Sequence, residues 1–188
     1  MPSRPSLRSV QSVMTVAILS LGSNRGDRHA YLQAAVAGLG DRVVLASGVY
    51  ETPPWGDPDQ PAYLNGVVLV ADPQAGPRDW LELARAGENA AGRVRDPERR
   101  FGPRTLDIDV IMVWGEDGTP VLSDDPELTL PHPRAHQRAF VLKPWLDIQP
   151  YAQLPGRGWV TDLLNTPDLA ADAAAMTPRP DLPLESEL

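Results

Sequence analysis

The chain has 188 residues, 42% of them hydrophobic and 22% charged, which is ordinary for one globular domain with a core of its own. It contains no cysteine, excluding a disulfide framework and a thiolate metal site, and no run of 18 apolar residues that would span a bilayer. The net charge of −8 is uneven, because residues 160–188 hold six acids against one Arg, so the body is only mildly acidic and a general nucleic-acid binder is not expected.

The opening MPSRPSLRSVQSVM has basic residues but no apolar segment, so residues 1–14 read as an extension rather than a secretory signal, and a cytoplasmic protein is expected. Residues 15–21, TVAILSL, predict a buried strand, and GSNRGD a turn in which Gly22 serves as a turn glycine. Asp27 is placed to cap a helix whose Leu32, Ala35, Val36 and Leu39 share one face, with Gly40 at its end. RVVLASGVY (42–50) predicts a second strand. The proline-rich ETPPWGDPDQP (51–61) predicts a long loop, and YLNGVVLVAD (63–72) a third strand. A second helix starts near Pro77, an arginine-rich connection follows, and residues 106–114 predict a fourth strand. Short strands and a helical turn complete residues 120–148. The order strand, helix, strand, strand, helix, strand is that of a ferredoxin-like α+β sandwich, an antiparallel sheet with helices on one face. The organisation expected is an extension over 1–14, a domain over 15–159, and an acidic Pro/Ala-rich tail over 160–188 that is solvated and flexible.

The fourth strand carries the chemistry. In FGPRTLDIDVIMVW (101–114), Asp107 and Asp109 lie two positions apart, so they face together with Cα atoms ~6.5 Å apart. Two carboxylates held at that spacing repel by about 3 kcal/mol at an effective dielectric near 20. Either arginines balance them or a divalent cation does, and two carboxylates without Cys or clustered His favour Mg²⁺ over Zn²⁺. Arg93, Arg95, Arg99, Arg100 and Arg104 precede the pair in a segment broken by Gly and Pro. Forked guanidiniums beside a metal-binding pair suit a polyphosphate carrying Mg²⁺, and no Gly-rich phosphate loop competes for that role. His132, between two prolines in LTLPHPRAHQR, is either a rigid donor to a phosphate or a turn residue; His136 reads as a surface residue. Tyr63 and Asn65 share a strand face, which suits stacking and reading a flat heterocycle or, equally, core packing.

LGSN (21–24), YETPPWG (50–56), DQPAYLNGVV (59–68), GRVR (92–95), FGPRTLDIDV (101–110), LTLPHPR (128–134) and RAFVLKPW (138–145) together resemble the 6-hydroxymethyl-7,8-dihydropterin pyrophosphokinase family of folate biosynthesis. The resemblance covers residues 15–150 and implies the same ferredoxin-like sandwich. It implies diphosphate transfer from ATP to the pterin hydroxymethyl group with release of AMP, and two Mg²⁺ held by Asp107 and Asp109. Arg93 and Arg104 match positions near the transferring phosphates; Arg95, His132 and Arg138 match positions on ATP, with Val110 and Thr129 by the adenosine. Tyr63 and Phe140 would sandwich the pterin, with Thr52, Pro53, Trp55 and Asn65 around its edge. The partners implied are ATP and a pterin, with no nucleic acid or membrane, and the protein would act as a monomer. Trp55, Phe101 and Pro133 depart from the family pattern, and the segment beyond Trp159 has no counterpart in it. Two other classes share features of this sequence. A nucleotidyltransferase also uses a D-x-D pair, and RNA-recognition domains share the strand and helix order, although Asp107 and Asp109 would repel phosphate without a metal.

Overall fold

The computed structural model describes residues 14–92, 97–98 and 105–186. Strand β1 (Thr15–Ser23) is buried along nearly its whole length and forms the centre of the sheet. Helix α1 (Arg28–Leu39) starts at Asp27, whose carboxylate accepts the Ala30 N–H at 3.1 Å, and buries Leu32, Ala35, Val36 and Leu39 as the spacing predicts. Gly40 ends it at φ 57°, where a Cβ would be strained, and Gly40–Arg42 form a 3-10 turn. The expected second strand is two strands, β2 (Val43–Ala46) and β3 (Tyr50–Thr52), separated by a break at 47–49. Both pair with β4 (Tyr63–Asp72), so the break lets one stretch run along two parts of the same neighbour.

Helix α2 (Pro77–Ala90) opens with Pro77 in its first turn, and Asp79 accepts the Gly76 N–H at 2.7 Å. Its Trp80 is wholly buried and donates from Nε1 to Thr15 Oγ1, which in turn donates to Ala75 O, both at 2.7 Å. β5 (Asp107–Gly115) pairs antiparallel with β1. A small hairpin of β6 (Ser123–Asp125) and β7 (Leu128–Leu130) follows, then a 3-10 turn at Ala135–Gln137 and helix α3 (Ala139–Ile148). Strands β8 (Gln153–Leu154) and β9 (Gly158–Trp159) form a second hairpin. Helices α4 (Val160–Leu164) and α5 (Pro167–Ala174) and strand β10 (Thr177–Pro178) close the described chain. The main sheet runs β10-β3-β4-β1-β5, with β2 also on β4, every described pairing antiparallel.

The α+β class and the antiparallel sheet with packed helices are those expected, but helices cover both faces rather than one. Leu19, Leu21, Val68, Val70, Ile108 and Val110 pack under α1 and α2. Ile18, Val67, Ile111 and Met112 pack on the opposite side against Val141, Leu142 and Trp145 of α3. The apolar run at residues 16–19 of β1 has this cause, since a strand covered on both faces has no polar side to alternate with.

The expectation of a solvated tail is also corrected. Val160, Leu169, Met176 and Leu184 are each at most 8% exposed, and β10 pairs with β3. The segment has few apolar residues, but their spacing matches three short elements laid on the body rather than one long amphipathic helix. The acids among them, Asp162, Asp168, Asp172, Asp181 and Glu185, stay exposed.

Candidate active site

The face that carries α3 is covered only part way along. Beyond the start of α3 the apolar residues of this face give way to small and polar ones that line a cleft. Register fixes the row: Gly22 of β1 stands between Asn65 of β4 and Asp107 of β5, and Ser20 stands between Val67 and Asp109. Strand alternation then puts Ser20, Gly22, Asn65, Asp107 and Asp109 on one surface.

These residues line a cleft with Thr52, Pro53, Trp55, Tyr63, Arg138 and Phe140, enclosing about 500 Å³ of empty space that is partly open to solvent. Three elements deliver the walls. β3 brings Thr52 and the loop after it Trp55; β4 brings Tyr63 and Asn65; the start of α3 brings Arg138 and Phe140. Asn65, 4% exposed, donates from Nδ2 to Thr52 Oγ1 at 2.6 Å, which fixes the amide orientation and leaves its carbonyl oxygen toward Gly22. A Cβ on Gly22 would lie 2.6 Å from Asn65 Oδ1 and 3.4 Å from the Tyr63 ring. Gly22 is therefore a strand residue that makes room for the cleft, not the turn glycine expected. Asn24, 2% exposed, ties the long loop to this edge through bonds to Gln60 Oε1 at 2.9 Å and Pro61 O at 3.1 Å.

Arg138, the residue before α3, is the cation that lines the cleft among the described residues. Its Nη1 donates to Asp109 Oδ2 at 3.3 Å, and its guanidinium lies 4.9 Å from the Trp55 ring centre and 5.5 Å from that of Phe140. Both rings fall within cation–π range, so the departure at Trp55 has a local use. His132 Nε2 lies 4.0 Å from the same Asp109 oxygen. His132 Nδ1 accepts the Arg134 N–H at 3.1 Å, so the neutral ring carries its proton on Nε2, facing the carboxylate pair. Burial, reinforced by the charges of Arg138 and Arg134 and opposed by Asp107, pushes its pKa down to about 4. At neutral pH it is an uncharged donor.

Of the expected site residues, the fold brings Asp107, Asp109, Thr52, Pro53, Trp55, Tyr63, Asn65, Arg138 and Phe140 into one cleft, with His132 at its margin. Two stand apart. Val110 points to the opposite face, buried with the α1 and α2 core, because it alternates with Asp109. Thr129 lies in β7 and donates its hydroxyl to Asp125 O at 3.0 Å. Arg93, Arg95 and Arg104, with Arg99, Arg100 and Phe101, lie outside the described residues. Three participants were not anticipated. Ser20 and Gly22 are cleft-lining, and their signal was the interruption of the Ile18, Ser20, Gly22 alternation by small residues. Glu88, 5% exposed at the end of α2, accepts the Ile108 N–H at 3.0 Å and so holds the strand between the two aspartates. Only a tertiary contact reveals it. Asp107 and Asp109 are hard oxygen ligands opening on a cleft, and no cluster of three or more His, Cys, Asp or Glu able to hold a metal occurs among the described residues.

A family model described as 7,8-dihydro-6-hydroxymethylpterin-pyrophosphokinase matches residues 18–150. The 2-amino-4-hydroxy-6-hydroxymethyldihydropteridine pyrophosphokinase of Mycobacterium tuberculosis is 44% identical over 180 residues, spanning 92% of this chain and 95% of that protein. The protein of the same name from Mycobacterium leprae is 49% identical over 150 residues, covering 77% and 78% of the two chains. That from Bacillus subtilis is 40% identical over 137 residues, covering 71% and 77%. The fold is similar to that of wild-type Plasmodium falciparum HPPK-DHPS in a crystal structure with STZ-DHP, at a TM-score of 0.60 and 14% identity. That match covers 84% of this chain but spans only 44% of the Plasmodium one.

Proposed function

The chain belongs to the 7,8-dihydro-6-hydroxymethylpterin-pyrophosphokinase family, and on that premise we propose how its cleft serves the reaction. The enzyme transfers diphosphate from ATP to the hydroxymethyl group of 6-hydroxymethyl-7,8-dihydropterin in folate biosynthesis, releasing AMP. The observation that carries the site assignment is a single lining that joins a carboxylate pair to an aromatic and amide pocket.

The pterin lies between Tyr63 and Phe140. The Asn65 amide and the Thr52 backbone meet its hydrogen-bonding edge, with Pro53 and Trp55 closing the side. Flat stacking between rings and a fixed amide suit a planar heterocycle with alternating donors and acceptors. Its hydroxymethyl arm then points along the row toward Asp107 and Asp109. Those two carboxylates are hard oxygen donors that fit Mg²⁺, and we assign to them the holding of two ions when ATP is bound. When bound, the metal would supply charge neutralisation for the transferring phosphates. Arg138 and the Nε2–H of His132 donate to the same phosphates, while Arg93, Arg95 and Arg104 supply further guanidiniums; Thr129 and the Val110 backbone flank the adenosine. The hydroxymethyl oxygen attacks the β-phosphorus and loses its proton to solvent, and the bond from that phosphorus to the α-phosphate oxygen breaks, leaving AMP. The protein's share is positioning and charge stabilisation, as for phosphoryl transfer in general. Residues 15–159 form the catalytic body, and the protein works in the cytoplasm as a monomer on these two small molecules, without nucleic acid or membrane.

Product analysis tests the assignment. Incubation with ATP, Mg²⁺ and the pterin is expected to yield AMP and pterin diphosphate in equal amounts. Release of pyrophosphate would instead mark nucleotidyl transfer and overturn it.

A further inference from the structure

The reaction leaves unexplained why residues 176–184 are folded back over the body, and the contacts they make converge on one wall of the cleft. β3 is only three residues long, yet it carries Thr52 into the site and begins the loop that carries Trp55. Its outer edge is paired: Thr177 lies opposite Glu51, Pro178 opposite Tyr50, and the Arg179 N–H donates to Val49 O at 2.8 Å. The Arg179 side chain donates to Glu51 Oε2 at 3.1 Å, and Arg28 donates to the same oxygen at 3.0 Å. Arg28 also donates to Ala62 O at 3.0 Å. Glu51 and Arg28 together thus join the C-terminal segment to both ends of the loop 53–61. Asp181 holds the Arg179 guanidinium in place through bonds of 3.0 and 2.9 Å. Beyond it, Pro183 O lies 2.7 Å from His29 Nε2 and accepts from Gln33 Nε2 at 3.3 Å. Leu184, 2% exposed, then fills the space over Gly66 of β4, where a Cβ would meet it at 2.8 Å.

We propose that residues 176–184 are a clamp that positions the pterin-binding wall, with Arg179 and Leu184 as its two fixing points. Neither residue touches the cleft, so both are positioning residues. They hold β3 and the 53–61 loop in the one arrangement that sets Thr52 against Asn65 and Trp55 over Arg138. Without the clamp, β3 becomes a three-residue edge strand, and such short pairing opens readily. The aspartate pair lies on β5, at the opposite edge of the sheet from β10, so the metal-binding end of the site is expected to be spared. The clamp's role in turnover rests on the pterin reading above, but its mechanical part does not.

The test uses the full chain with Arg179→Ala, Arg179→Lys and Leu184→Ala. Pterin KM is expected to rise roughly fivefold in the two alanine variants, because loosely held binding groups lose their alignment. ATP KM and kcat stay near those of the unaltered protein, and Arg179→Lys recovers most of the loss. Amide hydrogen exchange over 50–62 should quicken in both alanine variants and stay unchanged at β5. Unchanged pterin KM and unchanged exchange in 50–62 would overturn the clamp. So would a parallel loss in kcat and both KM values, the mark of general destabilisation. Should the unaltered protein make no AMP from ATP and the pterin, the functional reading fails, and the exchange comparison alone decides the clamp.

Discussion

At Asp109 the two readings available from spacing alone turn out to be compatible. Its Oδ2 accepts from Arg138 at 3.3 Å, so an arginine does balance it, and this one comes from the start of α3. Arg138 lines the same cleft, and in the proposed assignment it is directed at the phosphates, so the ion pair keeps the carboxylate in place within the site. Asp107→Ala and Asp109→Ala are each expected to lower kcat by at least about 10²-fold, on the scale of losing one preorganised charge contact. Pterin binding by calorimetry and the circular dichroism spectrum should be nearly unchanged; near-normal turnover in either variant would remove the assigned role. His132 gives a pH signature. Its folded-state pKa of about 4 lies below the ordinary 6.5, so between those values the unfolded chain binds more protons. The stability tied to the neutral ring is complete above pH 6.5 and is lost as the pH falls toward 4. The loss is on the order of 3 kcal/mol, from one pKa unit being worth 1.36 kcal/mol. The charged groups facing the ring, Arg138, Arg134, Asp107 and Asp109, are retained in His132→Gln. In metal-free protein, the urea midpoint of that variant should depend less on pH over this window than that of the unaltered chain.

At the scale of elements, the cleft is a consequence of antiparallel register. Two residues on β4, two on β1 and two on β5 meet only because Gly22 pairs with both Asn65 and Asp107. A shift of one residue on any strand would turn its site groups into the α1 and α2 core. Gly22→Ala tests how tightly the row is built. The added methyl group must displace the Asn65 amide, which is fixed by Thr52 at 2.6 Å and cannot swing freely. Pterin KM should rise by at least about tenfold, given how steeply misplacement is penalised, while ATP KM stays the same. Equal changes in both KM values would show that the methyl group disturbs β1 as a whole.

At the scale of the molecule, the C-terminal acidic segment is part of the folded body. Leu169 of α5, 8% exposed, packs in the same cluster as Trp145 and Val141 of α3. Leu169→Ala is expected to lower the unfolding free energy of the whole chain by about 2 kcal/mol, the lower end of buried leucine truncations. The shift should be the same by tryptophan fluorescence and by far-ultraviolet circular dichroism, as one cooperative unit requires. An unchanged midpoint would mean that the segment contributes nothing to the body.

Local patterns in the sequence determined α1 with its cap and apolar stripe, the bounds of β4, the start of α2 and the shared facing of Asp107 and Asp109. Each depends on residues a few positions apart, where periodicity and capping chemistry are readable. Motif resemblance added the family and most of the cleft. Tertiary structure alone decided that α3 covers a second face, that Glu88 grips the strand bearing the aspartates, that Val110 turns away from the cleft, and that the C-terminal segment docks on β3. Those outcomes depend on which distant surfaces meet and in what register. Such pairings are set by burial summed over the whole chain, and no short window of sequence contains that sum.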